Sequence, residues 1–411
     1  MTFSYKFRNS INASSIFISS VFLALCNWGQ LSLITKYLEL EEIGLYTLIL
    51  AISNPLFQFF NLQLRQLVVT DRSELFKFNE YFSVRVFLSS IVLIIGGIIG
   101  LFFTEDGISR VLFWLIFANY ALDAIIDIFN AQMHFYQDYI RISKSTFLRG
   151  GAAILGTAIG LIFLESLTAS FCLIILFKVI AAFFYDLKLI RRLYIKSPII
   201  LVSSENLFSL IKKGIPLGAT LFVVSMNFNM SKYFVDYYYG IEVQGAFSSM
   251  SYLIVLGTLF VSTFGQLLLP KMAIMFQNKN FQKLRNTHYL YLLCTLILGL
   301  TLSVVSVPFG KVFIEIFFSS KISSFSHLFP YIMASSLFVY LASAQGYALT
   351  SVSILRIQPI ISLIALGVNL LLNFVLGDTY GLEGMILFSG ITFCVQFILS
   401  FVIFIIKTKN K

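Results

Sequence analysis

Long apolar runs separated by short charged or turn-rich breaks recur along the whole chain. They predict helices near 13–35, 44–68, 81–103, 110–131, 147–164 and 167–190, then 213–236, 246–269, 287–308, 328–349, 356–377 and 383–406. Each run comes close to or exceeds the roughly 20 residues that cross a hydrocarbon layer about 30 Å thick. Strand-like alternation is weak, and the runs far exceed the roughly 10 residues of a barrel strand, which favours helices over an outer-membrane barrel. The pattern predicts an all-α integral membrane protein with about 12 transmembrane helices. The first run is too long for a signal-peptide core of about 7–15 residues and is predicted to stay as the first helix.

The most polar internal stretch, 191–212, runs from Arg191-Arg192 through Lys196 and Pro198 to Lys212, and falls near mid-chain after the sixth span. It reads as a cytoplasmic linker between two six-helix lobes, 1–205 and 206–411. A weak internal repeat agrees with that division. Glu41-Glu42-Ile43-Gly44-Leu45-Tyr46-Thr47 before span 2 matches Glu242-Val243-Gln244-Gly245-Ala246-Phe247-Ser248 before span 8, about half a chain later. Each half holds an even number of spans, so the halves are expected to be parallel repeats about an axis along the membrane normal, with substrate bound between the lobes.

Composition supports the same class. Of the 411 residues, 58% are apolar and 12% charged, and the mean hydropathy is +0.89, against about 45–50% and about 25% for soluble domains. The formal charge of +10 points away from nucleic acid once its distribution is read. Of the 29 Lys and Arg residues, only Lys36, Arg110, Lys232, Lys311 and Lys321 fall on one side of the alternating loops, with Lys178 mid-span. All the others fall on the opposite side, which includes Lys6, Arg72, Arg141, Lys144, Lys213 and Lys407. The positive-inside rule then puts both termini in the cytoplasm of a multi-pass cell-membrane protein. Contact with anionic membrane lipids is secondary.

No nucleotide loop, zinc-protease helix or dinucleotide turn is present, so no enzyme chemistry and no cofactor is expected. Cys26, Cys172, Cys294 and Cys394 lie in apolar spans without paired spacing and read as packing residues. His134, His288 and His327 are far apart near span ends, which suggests interfacial positions.

The candidate chemistry is charge within the spans. Asp123 and Asp127 are four residues apart on one helix face. A charge at the bilayer centre costs about 2.5–3.5 kcal/mol, so both should turn inward. They could couple transport to a cation, proton or sodium, or pair structurally with a cation of a neighbouring helix. Lys178 could meet an anionic substrate or neutralise one of these aspartates. Arg65 and Lys232, late in spans 2 and 7, could face a substrate or snorkel to the interface. Pro55 and Pro216 each delete a helical hydrogen bond and are candidate flexing points. Gly96-x-x-x-Gly100 and Gly156-x-x-x-Gly160 permit close helix contact.

Several stretches carry a family resemblance. They are Asn61-Leu-Gln63-Leu-Arg65 with Thr70-Asp71, Tyr81 and Arg85, then Ile142-x-x-Ser145-x-x-x-Arg149-Gly150 and Tyr185-Asp186. The second half adds Lys212-Lys213-Gly214-Ile-Pro216-Leu217-Gly218, the run from Tyr233 to Gly245 with Phe247, and Leu269-Pro270-Lys271. Over essentially its whole length the chain resembles the polysaccharide-transport, or oligosaccharide flippase, branch of the multidrug/oligosaccharidyl-lipid/polysaccharide exporter superfamily. One departure is Ser231-Lys232-Tyr233 where that branch reads Pro-Arg-Tyr, which keeps the charge and loses the proline.

The resemblance implies two six-helix lobes and alternating access. It also implies a polyprenyl-diphosphate-linked oligosaccharide carried from the inner to the outer leaflet for capsule, O-antigen or exopolysaccharide synthesis. A diphosphate needs fixed positive charge, for which Arg65, Arg149, Lys178 and Lys232 are candidates. A polysaccharide polymerase or glycosyltransferases are the expected partners. Two alternatives stay open: a cation-coupled multidrug exporter of the same superfamily, and a non-transporting membrane scaffold for polysaccharide synthesis.

Overall fold

The computed structural model describes residues 2–71, 75–103, 107–194 and 205–409. Residues 195–204 of the polar linker, with Lys196 and Pro198, lie outside them, as do Arg72 and the side chain of Lys6. No strand occurs among the described residues. The helices of the first half are α1 (Thr2–Tyr37), α2 (Leu40–Asn61), α3 (Leu64–Thr70), α4 (Phe78–Phe103), α5 (Gly107–Phe135), α6 (Tyr139–Ile162), α7 (Leu167–Ala181) and α8 (Lys188–Leu193), the last two joined by a π-helical turn, Ala182–Leu187. There follow α9 (Glu205–Tyr239), α10 (Ile241–Gln277), α11 (Phe281–Phe317), α12 (Ser320–Ser323), α13 (Phe329–Ser351) and α14 (Gln358–Lys409).

Eleven stretches among the described residues are long and apolar enough to cross a bilayer. The last, α14, runs for 52 residues, more than twice the roughly 20 a crossing takes. Gly381 breaks it with φ 67° and ψ −169°, a conformation open to glycine and closed to most side chains. Split there, α14 supplies two crossings, and the chain is a multi-pass membrane protein with the span order that its hydropathy predicts.

Short polar breaks set the helix starts. Asp138, Ser166, Asn280 and Ser319 each accept a backbone N–H of the following first turn, a cap that stabilises a helix by about 1 kcal/mol. Just past the end of α8, burial and a hydrogen bond to Asp138 push the Tyr194 phenol up to about 12. Its hydroxyl donates to Asp138 Oδ2 at 2.5 Å, which ties α8 to the α5–α6 turn.

The contacts gather the chain into two compact units. Unit 1 comprises Met1–Tyr37 and Ile52–Phe222, and unit 2 comprises Leu38–Ala51 and Val223–Lys411. In unit 1, α1 packs on α6, α6 on α7 and α4 on α5, while α5 also meets α3 and α7. In unit 2, α13 is the hub, in contact with α10, α11 and α14.

The small-residue motifs act as packing seats. A Cβ on Gly96 would meet the Phe117 ring at 2.3 Å, and one on Gly160 would meet Ser170 Oγ at 2.3 Å. The marked bend in the second span differs from expectation. It lies at Leu62 and Gln63, both left-handed with φ of 48° and 49°, whereas α2 runs unbroken through Pro55. Packing holds this strained pair. A Cβ on Gly214 would lie 2.7 Å from Leu62 Cβ, and one on Gly218 would lie 2.3 Å from the Phe59 carbonyl. The first part of α9 thus seats directly on the bend, and the bend aims Asn61 and Arg65 at α4 and α5.

Candidate functional site

Helix α5 places Asn119, Asp123 and Asp127 at four-residue intervals, hence on one face. Each carboxylate has its own cation. Lys178 Nζ, from α7, donates to Asp123 Oδ2 at 2.8 Å and to Asn119 Oδ1 at 2.8 Å. Arg65 Nη1, from the first turn of α3, donates to Asp127 Oδ1 at 3.0 Å. The two cations differ in burial. The Lys178 side chain is 7% exposed and Arg65 is 32% exposed.

A second guanidinium joins them. Arg85 of α4 is fully buried, donates from Nη2 to Asn61 Oδ1 at 2.8 Å, and lies within electrostatic reach of Asp127. Arg85 thus bonds to Asn61 and feels the field of Asp127, which pairs with Arg65. Arg85, Ser89 and Asn61 border a small cavity of about 10 Å³, the size of one water. Arg85 and Asn61 were visible in the sequence only as parts of a family pattern. The usable signal was a charged residue four positions inside a predicted span.

Arg149 lies apart from both pairs, on α6 beside Asp186 of the π-helical turn. Lys232 belongs to unit 2. Its Nζ donates to Asn229 Oδ1 at 3.1 Å, and no carboxylate pairs with it among the described residues. Around it the α9 sequence is unusually polar for a span. Asn227 donates to the Ser362 carbonyl at 2.8 Å, and on α14 Asn373 Nδ2 donates to Asn369 Oδ1 at 2.6 Å. Asn227 Oδ1, Ser231 Oγ, Asn369 Nδ2 and Asn373 Oδ1 have no hydrogen-bond partner. Unit 2 thus holds, at Lys232, an in-span cation with no carboxylate partner among the described residues, and buried polar atoms with spare capacity.

Among the described residues, no cluster of three or more His, Cys, Asp or Glu side chains is arranged to hold a metal ion. His288 is not interfacial. It is fully buried, with its ring 4.5 Å from that of Phe404, because α14 covers the side of α11 that hydropathy alone leaves open.

No family model matches the chain. A capsular polysaccharide biosynthesis protein, CapF, of Staphylococcus aureus is 26% identical over 390 residues, covering 91% of this chain and 93% of CapF. Among solved structures, an inward-facing multidrug resistance MATE family transporter of the MOP superfamily superposes with a TM-score of 0.75 at 13% identity. That match spans 95% of this chain and 96% of the transporter. The lipid II flippase MurJ, in an inward closed conformation, superposes with a TM-score of 0.73 at 16% identity, over 94% of this chain and 86% of MurJ. The chain has the MOP-superfamily fold. At these identities the MATE and MurJ structures speak for the fold alone, while CapF is similar in sequence along nearly its full length.

Proposed function

We propose that this chain is a transporter that moves a polyprenyl-diphosphate-linked oligosaccharide from the inner to the outer leaflet of the cell membrane for capsule or related polysaccharide synthesis. The observation that carries the reading is Lys232, an in-span cation that bonds to Asn229 and to no carboxylate among the described residues, whereas Lys178 and Arg65 are engaged by Asp123 and Asp127. A site for cationic drugs needs a free negative charge, whereas a diphosphate needs fixed cations and hydrogen-bond donors. The spare amide and hydroxyl atoms on α9 and α14 suit a polar, many-hydroxyl cargo, and the similarity to CapF supports a role in capsule synthesis. A purely structural scaffold has no use for an unpaired lysine in a span, where charge is costly.

The test is export. Lys232→Ala, at normal protein level, is expected to lower surface polysaccharide about tenfold or more, since a lost hydrogen bond between charged groups is worth about 1.5–3 kcal/mol. Lys232→Arg should keep most of it. Wild-type export from Lys232→Ala would remove the diphosphate role. Direction of transport rests on topology. In a chain whose four cysteines are replaced, a cysteine at Gln137 should react with an impermeant maleimide only after permeabilisation, and one at Glu165 without it. The opposite pattern would invert the assignment of both termini to the cytoplasm.

A further inference from the structure

Asp186 is a buried span carboxylate with no ion pair among the described residues. It lies in the π-helical turn Ala182–Leu187 and is 1% exposed, while its neighbours Phe183 and Phe184 turn outward. Its Oδ1 has no hydrogen-bond partner. Opposite it on α6 stand Ser145 and Arg149, one helical turn apart and therefore on the same face. Ser145 lies within hydrogen-bonding reach of the Asp186 carboxyl, and Arg149 Nε is buried with no partner among the described residues. A buried carboxyl oxygen and a buried guanidinium nitrogen with unused capacity thus meet beside a hydroxyl.

We propose that Asp186, framed by Ser145 and Arg149, is a proton-binding site. The surroundings serve both forms of the carboxyl. When a proton sits on Oδ1, the Ser145 hydroxyl can accept from it. When the proton leaves to water, the same hydroxyl reverses and donates, and the Arg149 guanidinium compensates the charge, since a hydroxyl both donates and accepts and an arginine only donates. Nothing but the proton is exchanged. Asp123 and Asp127 differ in their surroundings, because each accepts from a cation at 3.0 Å or less.

The packing around the turn leaves few other influences. Of the elements in contact with it, α5, α6, α7 and α8, only α6 presents groups that act on Asp186, namely Arg149 and Ser145. Tyr185 beside it senses the Asp186 charge and is also reached by Arg141 and Asp138. The π-helical turn supplies the geometry. Such single-turn bulges shift helix register and are frequent at functional sites, and here the shift sets Asp186 against α6.

The experiment is infrared difference spectroscopy on the purified full-length protein in lipid nanodiscs, stepped from mildly alkaline to mildly acidic buffer in H2O and D2O. A deuterium-sensitive carboxylic acid C=O band should appear on acidification, vanish in Asp186→Asn, and persist in Asp123→Asn and Asp127→Asn. Ser145→Ala, a change too small to threaten folding, should keep the band and move its midpoint. A band that survives Asp186→Asn, or one whose midpoint ignores Ser145→Ala, overturns the site, and the second variant decides alone if the first does not fold. No substrate enters the measurement. Its failure therefore leaves the transport reading standing, and failure of that reading leaves the proton site standing.

Discussion

Lys178→Met is expected to destabilise the protein by about 3–5 kcal/mol, the usual cost of removing one partner from a buried ion pair. The change strands Asp123, whose carboxylate otherwise takes both oxygens' contacts from Lys178 Nζ at 2.8 and 3.0 Å. Asn119, whose carbonyl oxygen also accepts from Lys178 Nζ, loses the same donor, and its amide can offer Asp123 at most a neutral hydrogen bond in place of a charge. Removing both charges tests the mechanism. Lys178→Met with Asp123→Leu should recover most of the loss, since apolar replacement of a whole buried pair is often neutral. Arg65→Met should cost less than Lys178→Met, because the Arg65 side chain is the less buried of the two cations. The reading is the apparent melting temperature of detergent-solubilised protein. Equal midpoints for wild type and Lys178→Met, or a double variant no better than the single one, would show that the pair carries no stability.

These pairings also show what a sequence can and cannot reveal. The span order was legible because a hydrocarbon slab imposes one length scale on every run. The inward placement of Asp123 and Asp127 followed from their spacing and from the cost of charge in lipid. The identity of their partners did not, since Lys178 and Arg65 arrive from helices that only tertiary packing brings to α5. Two local features left no sequence signal. Helix breaks are read from Pro and Gly, yet the bend falls on Leu62 and Gln63, held by glycines of a distant helix. The π-helical turn, Ala-Phe-Phe-Tyr-Asp-Leu, contains no breaker at all. Tyr185-Asp186, Ser145 and Arg149 were visible only as separate scraps of a family pattern, and the turn is what unites them.

Gly44→Ala and Gly245→Ala should be the other severe changes, because the two halves of the internal repeat meet at these positions within unit 2. A Cβ on Gly44 would lie 2.1 Å from the Ile241 carbonyl oxygen, and one on Gly245 would lie 2.7 Å from the Gly44 nitrogen and 2.8 Å from its Cα. The obstacles are backbone atoms, so no rotamer change relieves them. Equivalent glycines meeting across related segments is the arrangement of an isologous contact. Gln244 reinforces it by accepting from Thr47 Oγ1 at 3.0 Å and donating to Ser248 Oγ at 3.0 Å, thereby joining two hydroxyls that occupy matching places in the repeat. Overpacking typically costs about 1–3 kcal/mol, and more where the surroundings cannot give. Each alanine variant should therefore fall at or above the top of that range, seen as a large drop in melting temperature and in membrane-inserted yield. Gly346→Ala is the control, since it is also helical but a Cβ there meets nothing within 4 Å, and alanine suits a helix better than glycine. Gln244→Ala should cost only about 1 kcal/mol, because Thr47 keeps its bonds to the carbonyls of Ile43 and Gly44. If Gly44→Ala and Gly245→Ala behave like Gly346→Ala, the close glycine contact is not what holds the first half of α2 against α10.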